Sequence, residues 1–453
     1  MNNKHVEERG YHAIALYQGN IKPHWRCNMM TTELGRIHQL VKEHPDRKMQ
    51  TVMHLVNKET LKEAHERQAT GKARGVDQVS KSSYEDNIEE NLDDLIGRMR
   101  RFSYRPQPVR RAYIPKEGSD QVRPLGIPAY EDKLVQSVMA DVLTVIYEPK
   151  FYDCSYGFRA GRSQHQALEA LDGILYRWTN WVVDADIRRF FDTVDYEWLM
   201  KFLEHDIEDK NFLRYIKRFL KAGIMEDGKR YDADEGVPQG GLISPILSNV
   251  YLHYVIDMWF ERVVKAACKG KAEMIRFADD IVFCFENERD AVGFYGVLKE
   301  RLEKFNLELS EEKSRIIRFG RSAGEDRGKF DFLGFTHVMG KSRQGKPTVK
   351  RIMSQKKLKA KRQVVKKWLK ENMHEPVGML IKRLNVKLQG HYNYYGITGN
   401  YAAMESFRRY VLERLKATLN RRGADKAMTE EKFRRLLEKF PVAYPRVVHR
   451  VGK

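Results

Sequence analysis

Apolar residues in the first 180 positions recur mainly at helical spacing, interrupted by one β-like stretch. Residues 49–104 follow a charged helical pattern, as in NIEENLDDLIGRMRRF, broken by the glycine-rich GKARGVD at 71–77. Branched and aromatic residues then dominate RRAYIPKEGSDQVRPLGIPAY, whose central Gly-Ser-Asp predicts the tip of a β-hairpin. Residues 131–180 return to helical spacing apart from YGFRAGRS, whereas residues 1–48 show little periodicity.

Short strands and helices alternate irregularly through the middle of the chain. WVVDADI at 181–187 predicts a strand, and MIRFADDIVFCF predicts two strands joined by a turn. LELS, SRIIRF and DFLGF are further β-like pieces, and GKSRQGKP is predicted to be a linker. One helix is predicted to begin near Tyr196, and a second follows the loop EGVPQGGLISP (235–245) and runs through residue 265. Further helices are predicted at 288–305, 353–371, 376–390 and 401–420. The mixture favours an α+β fold over a doubly wound parallel sheet.

Positive charge is concentrated in the last quarter of the chain. The protein has 453 residues and a net charge of +20. Residues 341–453 contain 30 Lys and Arg against 8 Asp and Glu, whereas residues 1–340 contain 52 against 54. A short basic run is ordinarily a solvated helix face, but an excess of this size favours a polyanionic partner such as nucleic acid.

Composition excludes several other classes of protein. No apolar stretch approaches the roughly 18 residues of a membrane helix, so no membrane partner is expected. The first twenty residues contain acidic side chains that a signal or transit peptide would avoid, which favours a cytoplasmic protein. The four cysteines are scattered without a C-x-x-C pair, which argues against a disulfide framework and a zinc finger.

Four aspartates lie at the ends of otherwise apolar strands. Asp184 and Asp186 share one face of the 181–187 strand because side chains alternate along a strand, and Asp279 and Asp280 stand at the joint of the predicted hairpin. Each alone is ordinarily a strand-end or turn acid. Convergence on one sheet would require a cation, and oxygen ligands without His or Cys favour Mg²⁺. Two such ions about 4 Å apart would activate a 3′-hydroxyl and stabilise a leaving pyrophosphate.

Six motifs in order give the chain a resemblance to a known family. YIPK…RPLGIP, DIRRFFD, GVPQGGLISPILSNVYL, RFADD, LSEEKSRI and FDFLGF resemble the reverse-transcriptase motif series. RPLGIPAYEDKLVQ, QGGLISPILSN and LNVKLQGHYNYYG are similar to the bacterial group II intron reverse transcriptase/maturase family. The resemblance implies a right-hand polymerase with an antiparallel palm sheet. Its expected domains are an N-terminal extension (1–48), fingers and palm (49–340), a basic helical thumb or X (maturase) domain (341–420) and a small DNA-binding region (421–453).

The same resemblance implies the metal-binding residues. Asp186, the main-chain carbonyl of Ile187, and Asp279 would bind two Mg²⁺ ions, for which Mn²⁺ is a substitute. Asp280 completes the expected catalytic and metal-binding set. Asp184 shares the strand face of Asp186 but does not occupy the motif position, so we interpret it as structural.

Further residues are expected at the incoming nucleotide. They are Lys116, Arg123, Ile187, Phe191, Pro238, Gln239, Gly240 and Lys313. Lys116 and Arg123 would clamp the triphosphate, unless the hairpin is basic for solubility alone. Phe191 would exclude a 2′-hydroxyl, unless it packs in the core beside Phe190. Glycines in GVPQGG would permit close main-chain approach to the template–nucleotide pair with Gln239 as its polar contact, and Lys313 either adjoins the nucleotide or is simply solvated.

FDFLGF resembles a primer grip. Phe332, Leu333 and Gly334 would touch the primer end, and a buried strand is the alternative. One departure from the family pattern is Phe277, which stands where Tyr usually precedes Ala-Asp-Asp; we expect polymerisation to survive the loss of the hydroxyl. Base stacking and helix-bundle core are both open for an aromatic cluster in the maturase region, which consists of His391, Tyr392, Tyr394 and Tyr395.

The predicted protein is an RNA-directed DNA polymerase. It would bind its group II intron RNA, assist splicing as a maturase, and copy the intron into DNA during retrohoming. Its partners would be intron RNA, an RNA template, a DNA primer, target DNA and dNTPs, and it would act as a monomer or a dimer. No His-Asn-His nuclease with cysteine pairs follows the thumb, so primers are expected from another source. The alternatives are a free-standing reverse transcriptase in defence or repair, and an RNA-binding splicing cofactor without polymerase activity.

Overall fold

A computed structural model describes most of the chain. It covers residues 33–115, 122–232, 235–237, 239–320, 327–342, 344–422 and 428–450. Lys116, Pro238 and the predicted Gly-Ser-Asp hairpin tip lie outside the described residues. The described chain forms two compact units, the first of residues 33–114, 122–167 and 183–316, and the second of Pro115, residues 168–182 and the described residues from 317 onward.

The helices and strands alternate as an α+β fold requires. The helices are α1 (Glu33–Glu43), α2 (Lys58–Arg67), α3 (Lys81–Glu85), α4 (Ile88–Arg100), α5 (Tyr130–Tyr147), α6 (Gln164–Arg177), α7 (Phe190–Thr193), α8 (Tyr196–Asp206), α9 (Lys210–Leu220), α10 (Ser244–Leu252), α11 (Lys265–Ala267), α12 (Glu288–Glu303), α13 (Gln355–Glu371), α14 (Val377–Tyr395), α15 (Tyr401–Asn420) and α16 (Glu430–Lys439). The strands are β1 (Val109–Pro115), β2 (Val122–Ile127), β3 (Trp181–Asp186), β4 (Ile224–Glu226), β5 (Lys229–Tyr231), β6 (Ala272–Phe277), β7 (Asp280–Phe285), β8 (Arg315–Arg318), β9 (Lys329–Phe332), β10 (Phe335–Lys341) and β11 (Pro347–Met353).

Three sheets organise these strands. Their strand orders are β2-β1-β4-β5, β6-β7-β3-β8 and β11-β10-β9. β6 pairs with β7 antiparallel from Ala272–Phe285 to Phe277–Asp280, while β1 pairs with β4 parallel. The predicted α+β class is confirmed, and the second sheet carries the strand with Asp186 and the hairpin with Asp279.

Helix α5 forms the centre of the first unit. Its apolar residues surround the helix axis, which is the pattern of a helix packed on all sides. Eight of them have no solvent exposure: Leu134, Val135, Met139, Val142, Leu143, Val145, Ile146 and Tyr147. Asp77 caps the helix, since its carboxylate accepts a hydrogen bond from the Tyr130 main-chain N–H at 2.6 Å. Among the helices of the described residues, we find none with the length and apolarity to cross a bilayer.

The described residues of the predicted linker GKSRQGKP, all but Arg343, belong to a β-hairpin instead. β10 and β11 pair antiparallel along their whole length, from Phe335–Met353 to Lys341–Pro347. The alternation in PTVKRIM buries Val349, Arg351 and Met353 on one face, a period-two signal that the sequence analysis overlooked between the predicted linker and the helix predicted from residue 353. The short hairpin of β4 and β5 was also unpredicted, because strands of three residues leave little periodicity.

An extended segment, residues 440–449, runs along α14; we call it the C-terminal strap. The Asn385 side chain donates to the Pro441 carbonyl and accepts from the Ala443 N–H, both at 2.8 Å. At the far end of α14, the Gly396 carbonyl accepts from the N–H groups of Val448 (2.7 Å) and His449 (2.9 Å). The strap is therefore fixed at the middle and at the C-terminal end of one helix.

Candidate active site

Strand β3 delivers Asp186 to the edge of its apolar stretch. Val182 and Val183 are fully buried, whereas the Asp186 side chain is 45% exposed. Main-chain bonds hold the end of the strand: the Asp186 N–H donates to Ser314 Oγ at 3.1 Å and its carbonyl accepts from the Ser310 N–H at 2.8 Å. Ile187 is buried at 4% exposure, so its side chain belongs to the core. The role predicted for this residue concerns its main-chain carbonyl and does not need the side chain.

The β6–β7 turn delivers Asp279. Phe277 pairs with Asp280, so Ala278 and Asp279 are the two turn residues and Asp280 is the first residue of β7. Ala278 has a left-handed backbone with φ 58°, the feature of a type II′ turn, where glycine is usual. A non-glycine residue held in this conformation is a typical sign of a functional turn.

Three of the predicted site residues lie within electrostatic reach of one another. The pKa of Asp279 is raised because the protein around it displaces water, and the negative charge of Asp186 raises it further. The guanidinium of Arg123 on β2 acts in the opposite direction and lowers it. Asp279 of the β6–β7 turn is therefore within electrostatic range of Asp186 on β3, whose charge opposes its ionisation, and of Arg123 on β2, whose charge favours it.

Lys313 contacts a predicted metal ligand rather than standing free in solvent. Its Nζ donates to Asp186 Oδ2 at 2.7 Å, and its side chain is 67% exposed. Asp184, on the same strand face, is 3.8 Å from Arg315 and is only 17% exposed. The two aspartates of β3 therefore have separate basic partners.

Phe191 and the GVPQGG loop lie against each other. Phe190 is buried at 2% exposure and Phe191 is half-buried, with their ring centroids 5.4 Å apart, so Phe190 is the core residue of the pair. The Val237 N–H donates to the Phe191 carbonyl at 2.7 Å. Phe191 thus keeps an exposed edge suited to the steric role predicted for it.

The glycines of this loop approach the protein's own main chain. Gly240 has φ 113°, and a Cβ there would lie 2.5 Å from the Gly126 carbonyl oxygen of β2. Gly236 has φ 84°, and a Cβ there would lie 2.8 Å from the Asp192 carbonyl oxygen. The Gln239 carbonyl accepts from the Gly126 N–H at 2.6 Å. The close approach predicted for these glycines occurs between the loop, β2 and α7; a nucleotide contact stays a prediction.

The predicted primer grip is a tight hairpin turn in the second unit. Leu333 (φ 50°) and Gly334 (φ 79°) are both left-handed, as a type I′ turn requires. Phe332 is buried at 1% exposure, so its ring belongs to the core and only the turn residues present a surface. The Tyr394 hydroxyl donates to the Leu333 carbonyl at 2.9 Å.

The aromatic cluster of α14 belongs mainly to the core. His391, Tyr392 and Tyr395 are buried, and the His391 ring stacks on Phe407 with centroids 4.2 Å apart. Tyr394 is only half-buried. For the three buried rings the helix-bundle alternative is confirmed, since a buried ring has no face for a base.

The donor chemistry of the site fits a divalent metal ion. The described residues contain no group of three or more His, Cys, Asp or Glu side chains already arranged to hold a metal. Asp186 and Asp279 nevertheless carry hard oxygen donors, and the charge of Asp186 raises the pKa of Asp279, a repulsion that a bound cation would relieve. In the structure Lys313 supplies positive charge to one of them.

Sequence reasoning missed the residues that support the turn. Arg276, in the strand before it, is completely buried and paired with the equally buried Asp257. An arginine between apolar strand residues in MIRFADD is the signal that could have been noticed, because a charge there needs a partner.

Comparison with known proteins places these elements in a family. Residues 114–337 match the family model described as reverse transcriptase (RNA-dependent DNA polymerase). Residues 358–437 match the maturase-specific domain of group II introns. The first match contains every residue predicted at the metal, the nucleotide and the primer.

Relatives with known names support the same assignment. The group II intron-encoded protein LtrA of Lactococcus lactis subsp. cremoris is 42% identical over 165 residues, which are 36% of this chain and 27% of that protein. An uncharacterized 91 kDa protein in the cob intron of Schizosaccharomyces pombe is 37% identical over 173 residues, 38% of this chain and 21% of that protein. Protein YkfC of Escherichia coli (strain K12) is 31% identical over 317 residues, 62% of this chain and 80% of that protein. The match thus spans about a quarter of LtrA but four fifths of YkfC. With the two domain models matched in order, the chain belongs to the bacterial group II intron reverse transcriptase/maturase family that its motifs predicted.

Proposed function

We propose that the protein is an RNA-directed DNA polymerase whose active site comprises Asp186, Asp279 and Asp280. The observation that supports it most directly is the shared electrostatic environment of Asp186, Asp279 and Arg123, which come from three separate elements. Two Mg²⁺ ions, or Mn²⁺ in their place, would be held by these aspartates and the Ile187 carbonyl. When bound, they would activate the primer 3′-hydroxyl and stabilise the leaving pyrophosphate.

The chain's own residues would select and orient the nucleotide. Arg123, with Lys116, would pair with the triphosphate of the dNTP, since fixed positive charge stabilises negative charge developing at phosphorus. Phe191 would exclude a 2′-hydroxyl. The loop with Pro238, Gln239 and Gly240 would contact the template–nucleotide pair. Phe332, Leu333 and Gly334 would hold the primer end through their hairpin turn.

The second proposed activity is that of a maturase acting in the cytoplasm. The maturase-specific match and the excess of positive charge after residue 341 support binding to a group II intron RNA. The protein would stabilise the folded intron during splicing and then copy it into DNA during retrohoming. Its domains would follow the boundaries predicted at residues 48, 340 and 420.

A primer-extension assay on an RNA template with dNTPs and Mg²⁺ tests the polymerase. Asp279→Asn should abolish extension while leaving RNA binding unchanged, because the substitution removes charge and keeps shape. Asp184→Asn is the matched control, since Asp184 lies on the same strand face as Asp186 and pairs with Arg315. Extension by Asp279→Asn equal to wild type would refute the site.

Splicing of a group II intron RNA at low Mg²⁺ tests the maturase separately. We expect the wild type and Asp279→Asn to promote splicing equally, since RNA binding does not use the catalytic carboxylates. A wild type that extends primers but neither binds nor splices intron RNA would favour a free-standing reverse transcriptase. A wild type that splices but does not extend would favour a splicing cofactor alone.

A further inference from the structure

Arg276 is a fully buried charge directly before the catalytic turn. Its side chain and that of Asp257 both have 0% exposure. Nε donates to Asp257 Oδ1 at 2.7 Å and Nη2 donates to Oδ2 at 2.6 Å, which is a bidentate pair. Asp257 lies in a π-helical turn, His253–Asp257, that continues α10. Such turns are rare and frequently lie at functional sites.

The remaining side of the guanidinium faces the turn itself. Nη1 donates to the Ala278 carbonyl at 3.1 Å and to Asn249 Oδ1 at 3.0 Å. Ala278 is the left-handed residue that immediately precedes Asp279. A charge-assisted hydrogen bond therefore holds the main chain at the residue whose conformation aims the Asp279 carboxylate.

A second contact holds the turn from the other side. The main chain of Arg276 donates to the Cys154 carbonyl and accepts from the Tyr156 N–H, both at 2.8 Å. Asn249 Nδ2 donates to the Gly157 carbonyl at 2.8 Å, and any Cβ on Gly157 would overlap the Ala278 nitrogen. One buried network thus joins α10, the 154–157 segment and the turn.

Stability alone does not account for this network. A buried ion pair repays its desolvation poorly, and apolar residues of similar volume often give equal or greater stability. Arg276 and Asp257 are both removed from water, so their desolvation opposes folding. The presence of the pair therefore points to a role for its geometry beyond stability. Groups that orient metal ligands through a second layer of hydrogen bonds serve such a purpose.

We propose that Arg276, held by Asp257, is a positioning residue that fixes the Ala278 carbonyl and thereby the direction of the Asp279 carboxylate. This inference rests on the proposed metal-dependent polymerase. It assigns to the Arg276–Asp257 pair a role in metal affinity and turnover that exceeds its role in folding.

The test replaces both partners at once. Arg276→Met alone would leave the Asp257 charge buried and unpaired, so the informative variant is Arg276→Met with Asp257→Leu. Arg98→Met is the control: Arg98 also binds a carboxylate of the first unit, with Nη2 donating to both oxygens of Glu131 at 2.8 and 2.9 Å, but it is partly exposed and far less buried than Arg276. Four properties are measured for the wild type and each variant. They are thermal unfolding, Mn²⁺ binding by electron paramagnetic resonance, hydrogen exchange of the peptide over 274–283, and primer-extension kinetics.

We expect the double variant to unfold near the wild-type temperature. Its Mn²⁺ affinity and kcat should fall about 10- to 100-fold, as for other groups that orient metal ligands, and amides 277–280 should exchange faster. The dNTP KM should change little, and Arg276→Lys should recover only part of kcat because lysine lacks the planar fork. The Arg98→Met variant should match the wild type in Mn²⁺ affinity and kcat.

Two results would overturn the inference. One is a stable double variant with wild-type Mn²⁺ affinity, turn exchange and kcat; the other is Mn²⁺ binding that is undetectable in the wild type. If the wild type binds Mn²⁺ more tightly than the double variant and yet extends no primer, the proposed polymerase fails while the positioning role stands.

Discussion

Lys313 Nζ lies 2.7 Å from Asp186 Oδ2, although the two residues are separated by more than a hundred positions in the chain. Both side chains are largely open to solvent, at 67% and 45% exposure. Exposed ion pairs contribute little to stability and are easily broken. Lys313 can therefore leave Asp186 without unfolding anything, as its proposed role at the incoming nucleotide requires.

The first prediction concerns this lysine. Lys313→Met should raise the dNTP KM about tenfold, equivalent to about 1.4 kcal/mol, with kcat and thermal stability little changed. Steady-state primer extension across dNTP concentrations measures it. Lys299→Met is the control, because Lys299 forms a comparable exposed pair with Glu311 at 2.6 Å. An unchanged KM would leave Lys313 as a solvated lysine.

The second prediction concerns pH. Asp279 must be ionised to bind a cation, and its pKa is raised by burial and by the charge of Asp186. As the pH is lowered, activity should therefore decline at a higher pH than it would with an exposed aspartate. Arg123 lowers that pKa, so Arg123→Met should move the acid limb of the kcat profile to higher pH. The free energy of unfolding changes in the opposite direction. The folded state binds the Asp279 proton more tightly than the unfolded state does, so the stability gained from that proton is lost as the pH rises through the raised pKa. A pH profile with identical acid limbs in the two proteins would contradict the prediction.

The third prediction concerns Gly157. A methyl group there would overlap the Ala278 nitrogen, so Gly157→Ala should displace the catalytic turn and reduce kcat by about 100-fold. Gly293→Ala is the control, since a Cβ at Gly293 in α12 meets nothing within 4 Å and alanine favours a helix. Primer extension and thermal unfolding of both variants distinguish the local effect from general instability. Full activity in Gly157→Ala would show that the turn tolerates a shift.

The fourth prediction concerns His391. Burial, reinforced by Lys361, lowers its pKa to about 3. The unfolded chain binds a proton near pH 6.5 and the folded chain does not, so stability falls as pH drops below that value. Between pH 6.5 and 5 the loss should be about 2 kcal/mol, and His391→Phe should remove it.

Urea unfolding at both pH values measures this effect. His374→Phe, at an exposed position, is the control and should leave the pH dependence unchanged. Equal acid sensitivity in wild type and His391→Phe would show that His391 gains a proton without unfolding.

Much of the fold follows from local pattern. The strand with Asp186 was predicted at 181–187 and forms Trp181–Asp186, because an apolar run ends there in acids. The helix predicted from Tyr196 begins at that residue, where the Asp195 side chain caps it by accepting from the Trp198 N–H at 2.8 Å. Such signals are carried by neighbouring residues and are visible in sequence.

Contacts between distant segments were not predictable. The pattern marks Arg276 as an unusual charge in an apolar strand, but its pairing with Asp257 depends on how a π-helical turn aims that carboxylate. Likewise, glycine at positions 236 and 240 predicts that another group approaches the main chain closely, but the sequence does not show which group. In the structure Gly236 approaches the main chain of Asp192, and Gly240 approaches that of Gly126. Partner choice of this kind is set by tertiary packing.

The C-terminal strap has a consequence for the order of events on the ribosome. α14 cannot complete its contacts until residues 448 and 449 have been synthesised, because their N–H groups satisfy the Gly396 carbonyl. The elements that carry Asp186 and Asp279 are translated more than 150 residues earlier, so they have time to collapse first. During that interval the most basic part of the chain is unfinished, and with the proposed RNA-binding role a nascent chain in this state would be open to early capture by RNA.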